Sequence, residues 1–270
     1  YADPPYTDMQ YSRYYHLLNV AAKYDYPEPT ISRGKFTKGL YTEGRNQSDL
    51  SKKSTAKGRL EELFNYCHEN GVVLALSYAY PKDESNQKTD RYTVSIEELV
   101  DIAKRVFGNK RVQIELKDYQ HANNRNSSAK EVFEYLILCG QEVHKSQYDL
   151  IELKNEIKSL TPTSKNPVYN THLYWSQKSF NVIDSLISHL SSENDIVFDP
   201  FMGSGVTVLE AVQGNMNRIG IGCDVNEMSK FITSNILTDI PHSDLNQLFS
   251  NLENKLNDLS HYYETKCDNC

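Results

Sequence analysis

The chain has 270 residues, 39% hydrophobic and 24% charged, enough for one α/β domain with a full core and a small appendage. No apolar run is long enough to span a membrane, no charged-then-apolar leader is present, and five scattered cysteines make no disulfide framework, so the expected setting is a reducing cytoplasm without a membrane partner. A net charge of −7 excludes a uniformly basic nucleic-acid binder and confines any DNA contact to local patches.

In chain order, residues 1–6 have the character of a strand end and the loop after it, and residues 11–24 read as a helix. Residues 25–55 hold Pro27, Pro29, Gly34, Gly39 and Gly44 with little periodicity, which predicts a long loop or insertion. Residues 56–69 place Leu60, Leu63, Phe64 and Cys67 on one helical face, with Gly71 as the stop. The apolar run 72–78 suits a buried parallel strand. Ser95 and Glu98 form a capping-box pattern for a helix carrying Ile96, Leu99, Val100, Ala103 and Phe107. Val112, Ile114 and Leu116 alternate, 132–138 is a second apolar strand, and the turn region 118–129 predicts an antiparallel hairpin at a sheet edge.

Residues 141–168 are polar and read as a linker with some helix. Phe180, Ile183, Leu186, Ile187 and Leu190 then mark an amphipathic helix. Residues 196–198 predict a buried strand running into a glycine turn and a second helix, and 218–224 the next strand, ending in an acid. Alternating strands and helices imply crossover connections, hence an α/β, Rossmann-like, mostly parallel twisted sheet with helices on both faces and an antiparallel edge hairpin. The expected divisions are 1–140, 141–170 as linker, 171–240, and a helical tail over 241–270. The chain opens on Tyr1 and stops at Cys270, so an internal fragment is expected.

Two short motifs carry chemistry. Asp199-Pro200-Phe201-Met202-Gly203-Ser204-Gly205 lies between a strand and a helix, where glycines let backbone approach a ligand closely. Asp224 ends the following strand, where an acid accepts ribose hydroxyls in nucleotide-type folds. By itself this is equally a tight turn with an unrelated surface acid, and Val208 stands where the dinucleotide pattern wants a third glycine. Asp3-Pro4-Pro5-Tyr6 offers a rigid loop, an acceptor for an amine and a ring for a base, or simply a strand end and turn.

Together, D-P-P-Y and D-P-F-M-G-S-G resemble the paired signature of S-adenosylmethionine-dependent DNA amino-methyltransferases, and Ser176-Gln177-Lys178-Ser179 resembles the T-Q-K-P of that family's cofactor-adjacent helix. The motif order resembles the permuted β-type arrangement, and the likeness covers roughly residues 1–140 and 168–240. Val206 and Ser179 depart from the family's Thr and Pro, and no large target-recognition segment lies between Leu138 and Val168. The resemblance implies a class I methyltransferase fold with a catalytic half at 1–140 and a cofactor-binding half at 171–240.

It further implies methyl transfer to the exocyclic amine of adenine in DNA, since the acid form of D-P-P-Y resembles adenine enzymes. Asp3, Pro4, Pro5 and Tyr6 would be catalytic. Lys178, Asp199, Pro200, Phe201, Gly203, Ser204, Gly205 and Asp224 would hold the cofactor, with Phe201 and Val225 flanking its adenine. A restriction endonuclease is the implied partner. Alternatives are a cytosine N4 or RNA methyltransferase, a non-catalytic nucleic-acid-binding remnant, and a dinucleotide-binding oxidoreductase, the last disfavoured by the missing third glycine.

Residues 25–59 carry a local excess of four positive charges, and Arg33, Lys35, Lys38, Arg45, Lys52 and Lys53 are the expected phosphate contacts. Cys267 and Cys270 form half of a zinc-type pattern, which would need its other half in a longer protein. Cys67, Cys139 and Cys223 sit on apolar elements and are expected in the core.

Overall fold

The computed structural model describes the chain except for residues 10–11, 26–27, 29, 37–46, 83–88, 122–129, 141–149, 164–165, 173, 175–176, 215, 258 and 263–270. It divides into two compact units, residues 1–233 and 234–270. In chain order the elements are α1 (Ser12–Lys23), β1 (Ile31–Ser32), β2 (Lys35–Phe36), α2 (Ala56–Glu69), β3 (Leu74–Pro81), α3 (Ile96–Phe107), β4 (Val112–His121), β5 (Lys130–Cys139) and α4 (Leu150–Ser159). There follow α5 (Phe180–Leu190), β6 (Ile196–Asp199), α6 (Val206–Gln213), β7 (Ile219–Gly222), α7 (Glu227–Leu237) and α8 (His242–Asn257). Among the described residues, no helix is long and apolar enough to cross a membrane.

The sheet is not mostly parallel, which corrects the fold expected from the sequence. The largest sheet has three strands in the order β3-β5-β4, and β5 runs antiparallel to both neighbours. Among the described residues, parallel pairing is confined to β6 with β7 and to a single bridge between Ala2 and Leu76. The reason lies in the hairpin. Strands β3 and β4 are joined through α3 and point the same way, as a crossover demands, but β5 folds back from β4 and inserts between them. Two residues, Tyr1 and Ala2, link this sheet to the parallel pair. The Tyr1 amino nitrogen donates to Phe198 O at 3.0 Å, Ala2 N donates to Ala75 O at 2.8 Å, and Ser77 N donates to Ala2 O at 2.8 Å.

The core of the first half sits where α2 and α3 meet β3 and β5. Leu60, Phe64 and Cys67 from α2 and Leu99, Ile102, Ala103 and Phe107 from α3 close over Leu74, Leu76, Tyr78 and Ile137. Each large side chain so buried contributes roughly 1.5–3 kcal/mol. The capping box expected for α3 forms, with Ser95 Oγ accepting from Glu98 N at 3.2 Å and Glu98 accepting from Ser95 N at 3.3 Å. The linker contains α4, and the basic insertion contains the β1–β2 hairpin, whose turn residues Arg33 and Gly34 have φ of 53° and 73°. Two consecutive positive φ values match the two-residue turn that suits strand twist.

The parallel pair is covered on one face only, a second correction. Helix α6 packs so tightly that a Cβ on Gly220 would lie 2.8 Å from Val208 O. On the strands, Ile196 (64%), Phe198 (46%), Ile219 (54%) and Ile221 (42%) remain exposed. Cys223 is likewise exposed rather than in the core, while Cys67 and Cys139 are buried. In the second unit, α8 carries Leu248, Phe249, Leu252 and Leu256 exposed along its length.

Candidate active site

The glycine turn after β6 is built by polar locks. Asp199, 1% exposed, accepts from Phe201 N at 2.9 Å with one carboxylate oxygen and from Thr207 Oγ1 at 2.6 Å with the other. Both oxygens therefore act on the turn and on the first turn of α6. Gly203 and Gly205 have φ of 54° and 81°, and a Cβ on Gly205 would meet the Thr233 side chain at 2.3 Å. Only glycine combines that conformation with that approach. Gly222 serves the same end on β7, since its Cβ would lie 2.4 Å from Met202 Sδ.

Asp224 ties the two strand ends together. Its carboxylate accepts from Gly203 N at 2.9 Å and from Asn226 N at 2.8 Å. Burial pushes its pKa up, against the pull of those two backbone donors, and Asp199 adds to the rise. The Ser229 side chain bonds the same carboxylate, which leaves it one further acceptor position. Ser204 Oγ, inside the turn, is buried without a hydrogen-bond partner among the described residues. Tyr174 lies over the turn, its ring 3.3 Å from where a Gly203 Cβ would be, and its hydroxyl is 2.9 Å from Ser229 Oγ. Phe201 packs against the main core, whereas Val225 is exposed.

The acid-proline-proline-tyrosine corner stands beside this turn, because Ala2 pairs with β3 and Tyr1 with β6. Pro4 is buried and Asp3, Pro5 and Tyr6 are partly so. Tyr6 packs edge-on against Tyr78, with centroids 6.0 Å apart, and nearly parallel to Tyr92 at 6.1 Å and 19°. Backbone bonds hold Tyr92 there: Thr93 N donates to Tyr6 O at 3.1 Å and Asp8 N to Arg91 O at 2.9 Å. The Lys178 ammonium pairs with the Asp3 carboxylate.

Sequence reasoning did not find Thr207, Tyr92, Tyr174 or Asn226. Thr207 had a signal, its place eight residues after Asp199 in the first helical turn. Tyr92, Tyr174 and Asn226 lie outside the helices and strands, where no periodicity marks them.

Of the expected phosphate contacts, Arg33, Lys35 and Lys53 are exposed, while Lys52 is held by Asp49 at 2.9 Å. Lys57 pairs with Glu98 at 2.7 Å, and Arg59 with Asp49 at 3.2 Å and Glu62 at 2.7 Å, so part of the local positive excess is neutralised within the fold. Lys38, Arg45, Ser176, Cys267 and Cys270 lie outside the described residues. Among the described residues no group of His, Cys, Asp or Glu is arranged to hold a metal ion.

A family model described as DNA methylase, of the N6/N4 type, matches residues 1–233. The modification methylase LlaI of Lactococcus lactis subsp. lactis is 35% identical over 130 residues, which are 48% of this chain and 18% of that protein. The chain thus corresponds to under a fifth of that relative's length. Among solved structures, the cytosine-N4-specific PvuII DNA methyltransferase aligns over 86% of this chain and 88% of its own, with 13% identity and a TM-score of 0.48. The M1.HpyAVI–SAM complex aligns over 66% and 83%, with 17% identity and a TM-score of 0.37.

Proposed function

Because the chain belongs to the N6/N4 DNA methylase family, we propose that it transfers a methyl group from S-adenosylmethionine to the 6-amino group of adenine in DNA. The observation that carries this reading is the contact of Tyr1 with Phe198, which sets the Asp3 corner next to the Asp199 turn although 196 residues of chain separate the two acids. An open sheet gathers its ligand crevice at such strand ends.

An exocyclic amine is a weak nucleophile because its lone pair is delocalised into the ring. The Asp3 carboxylate and the Pro4 carbonyl accept its two N–H groups, which favours a pyramidal nitrogen and stabilises the positive charge that grows on it. Tyr6, backed by Tyr78 and Tyr92, offers a flat face to a base turned out of the duplex. The cofactor supplies an activated sulfonium methyl. The residues present fit it: Ser204 Oγ has no partner among the described residues, and Asp224 keeps an acceptor position for a ribose hydroxyl. Asp199 shapes the turn through its bonds to Phe201 and Thr207.

Phosphates of the same DNA fall to the basic insertion, through Arg33, Lys35 and Lys53 with Lys38 and Arg45. A restriction endonuclease partner belongs to the same proposal. The test is incubation of the protein with methyl-labelled S-adenosylmethionine and DNA, followed by nucleoside separation. Label in N6-methyldeoxyadenosine is expected. Label in N4-methyldeoxycytidine moves the assignment to cytosine, and label in no nucleoside overturns it.

A further inference from the structure

The resemblance of residues 176–179 to T-Q-K-P gives Lys178 to the cofactor, yet its amine meets the other corner of the site. Lys178 Nζ pairs with Asp3 Oδ2, and the two side chains are only 22% and 13% exposed. The segment carrying Lys178 is fixed by its neighbours. Gln177 Nε2 donates to Tyr169 O at 3.2 Å and stands 3.2 Å from His172 Nε2, and Ser179 starts α5 immediately after. Lys178 therefore spans the crevice from the wall that carries Tyr169 to the acid-proline corner.

We propose, resting on the activity inferred above, that Lys178 is a positioning residue: its ammonium orients the Asp3 carboxylate from the very place on Oδ2 that the target amine must take, and yields that place when the base enters. Two acceptor atoms, Asp3 Oδ2 and the Pro4 carbonyl, have to be in register before the amine arrives, and a carboxylate with no partner would be free to rotate. A cation on Asp3 fixes it and matches its charge in a site largely shut off from water. It also mimics the positively charged nitrogen that forms as the methyl group moves. Burial brings the Lys178 amine down to about 8, partly offset by Asp199.

The test pairs stability with kinetics, using wild type, Lys178→Met, Asp3→Asn and the double variant. Urea midpoints without substrate should be non-additive, the double variant being no less stable than the weaker single one. In transfer assays, Lys178→Met should lower kcat about tenfold or more without raising the KM for DNA. Its S-adenosylmethionine Kd should stay within about twofold of wild type, and Lys178→Arg should recover part of kcat. An additive cycle overturns the proposal and leaves the activity intact. Loss of cofactor affinity equal to the loss of kcat overturns it too, making Lys178 a cofactor ligand. A wild type that binds the cofactor yet methylates no DNA overturns the activity reading and the role of Lys178 with it, an outcome the stability cycle separates from the others.

Discussion

The two halves of the first unit are held together by different physics. Around β3, β5, α2 and α3 the packing is made of large apolar side chains, with Leu60, Phe64, Leu76, Tyr78, Leu99 and Ile137 all out of solvent. Around β6, β7 and α6 the buried set is rich in polar groups, namely Asp199, Ser204, Thr207, Glu210, Asn226, Ser229 and Thr233, and one strand face is open. There the Tyr169 hydroxyl donates to the Glu210 carboxylate, and Gly205, Gly220 and Gly222 admit contacts that a Cβ would forbid. Apolar burial is concentrated in the first region, and buried polar groups and close glycine contacts in the second. The acid-proline-proline-tyrosine corner stands on the border between them, its backbone anchored to β3 through Ala2 and to β6 through Tyr1.

The comparison breaks most visibly at Phe64. Phe64→Ala removes a fully buried ring from the α2–α3 core and should cost about 3–5 kcal/mol in urea unfolding. Below the transition, cofactor affinity should be unchanged, and a matching loss of affinity would show that the regions are not separable.

A smaller effect probes the other half. Asp224 has a raised pKa in the fold, and on the proposed reading its ionised form accepts ribose hydroxyls. As the pH falls through that raised value, S-adenosylmethionine affinity should decline, approaching tenfold per pH unit, or about 1.4 kcal/mol. The decline begins at a higher pH than an ordinary aspartate would give. Stability moves the opposite way: folding raises this acid's pKa, so the folded state binds the proton more tightly and the Asp224 contribution to stability grows on acidification. Calorimetry across pH checks the first trend and urea midpoints the second, and Asp224→Asn should bind weakly and flatten both.

The helices were legible because their signals are local. Periodicity and the Ser95–Glu98 box give α2, α3 and α5 to within a residue, and the glycine turn and Asp224 stand at strand ends where their spacing puts them. The antiparallel pairing of β4 with β5 was legible too, but the direction of the pairing of β3 was not. Every residue of β3 is buried, the mark of a strand covered on both faces, but coverage does not say which neighbour lies alongside or which way it runs. The apolar residues of β6 and β7 predict burial equally well whether or not a second layer covers them, and here Phe198 and Ile221 face outward. Lys178 was assigned to the cofactor because residues 176–179 resemble the T-Q-K-P of the family's cofactor-adjacent helix, whereas only the fold brings it to Asp3.

The claim that most needs testing is that two corners of one crevice do separate jobs, one holding the cofactor and the other the amine. Single-turnover methyl transfer by Asp3→Asn at saturating S-adenosylmethionine addresses it directly. Transfer should fall by roughly 10²–10³-fold while the cofactor Kd stays within about twofold of wild type. Undiminished transfer, or a cofactor affinity lost in step with it, would contradict the account.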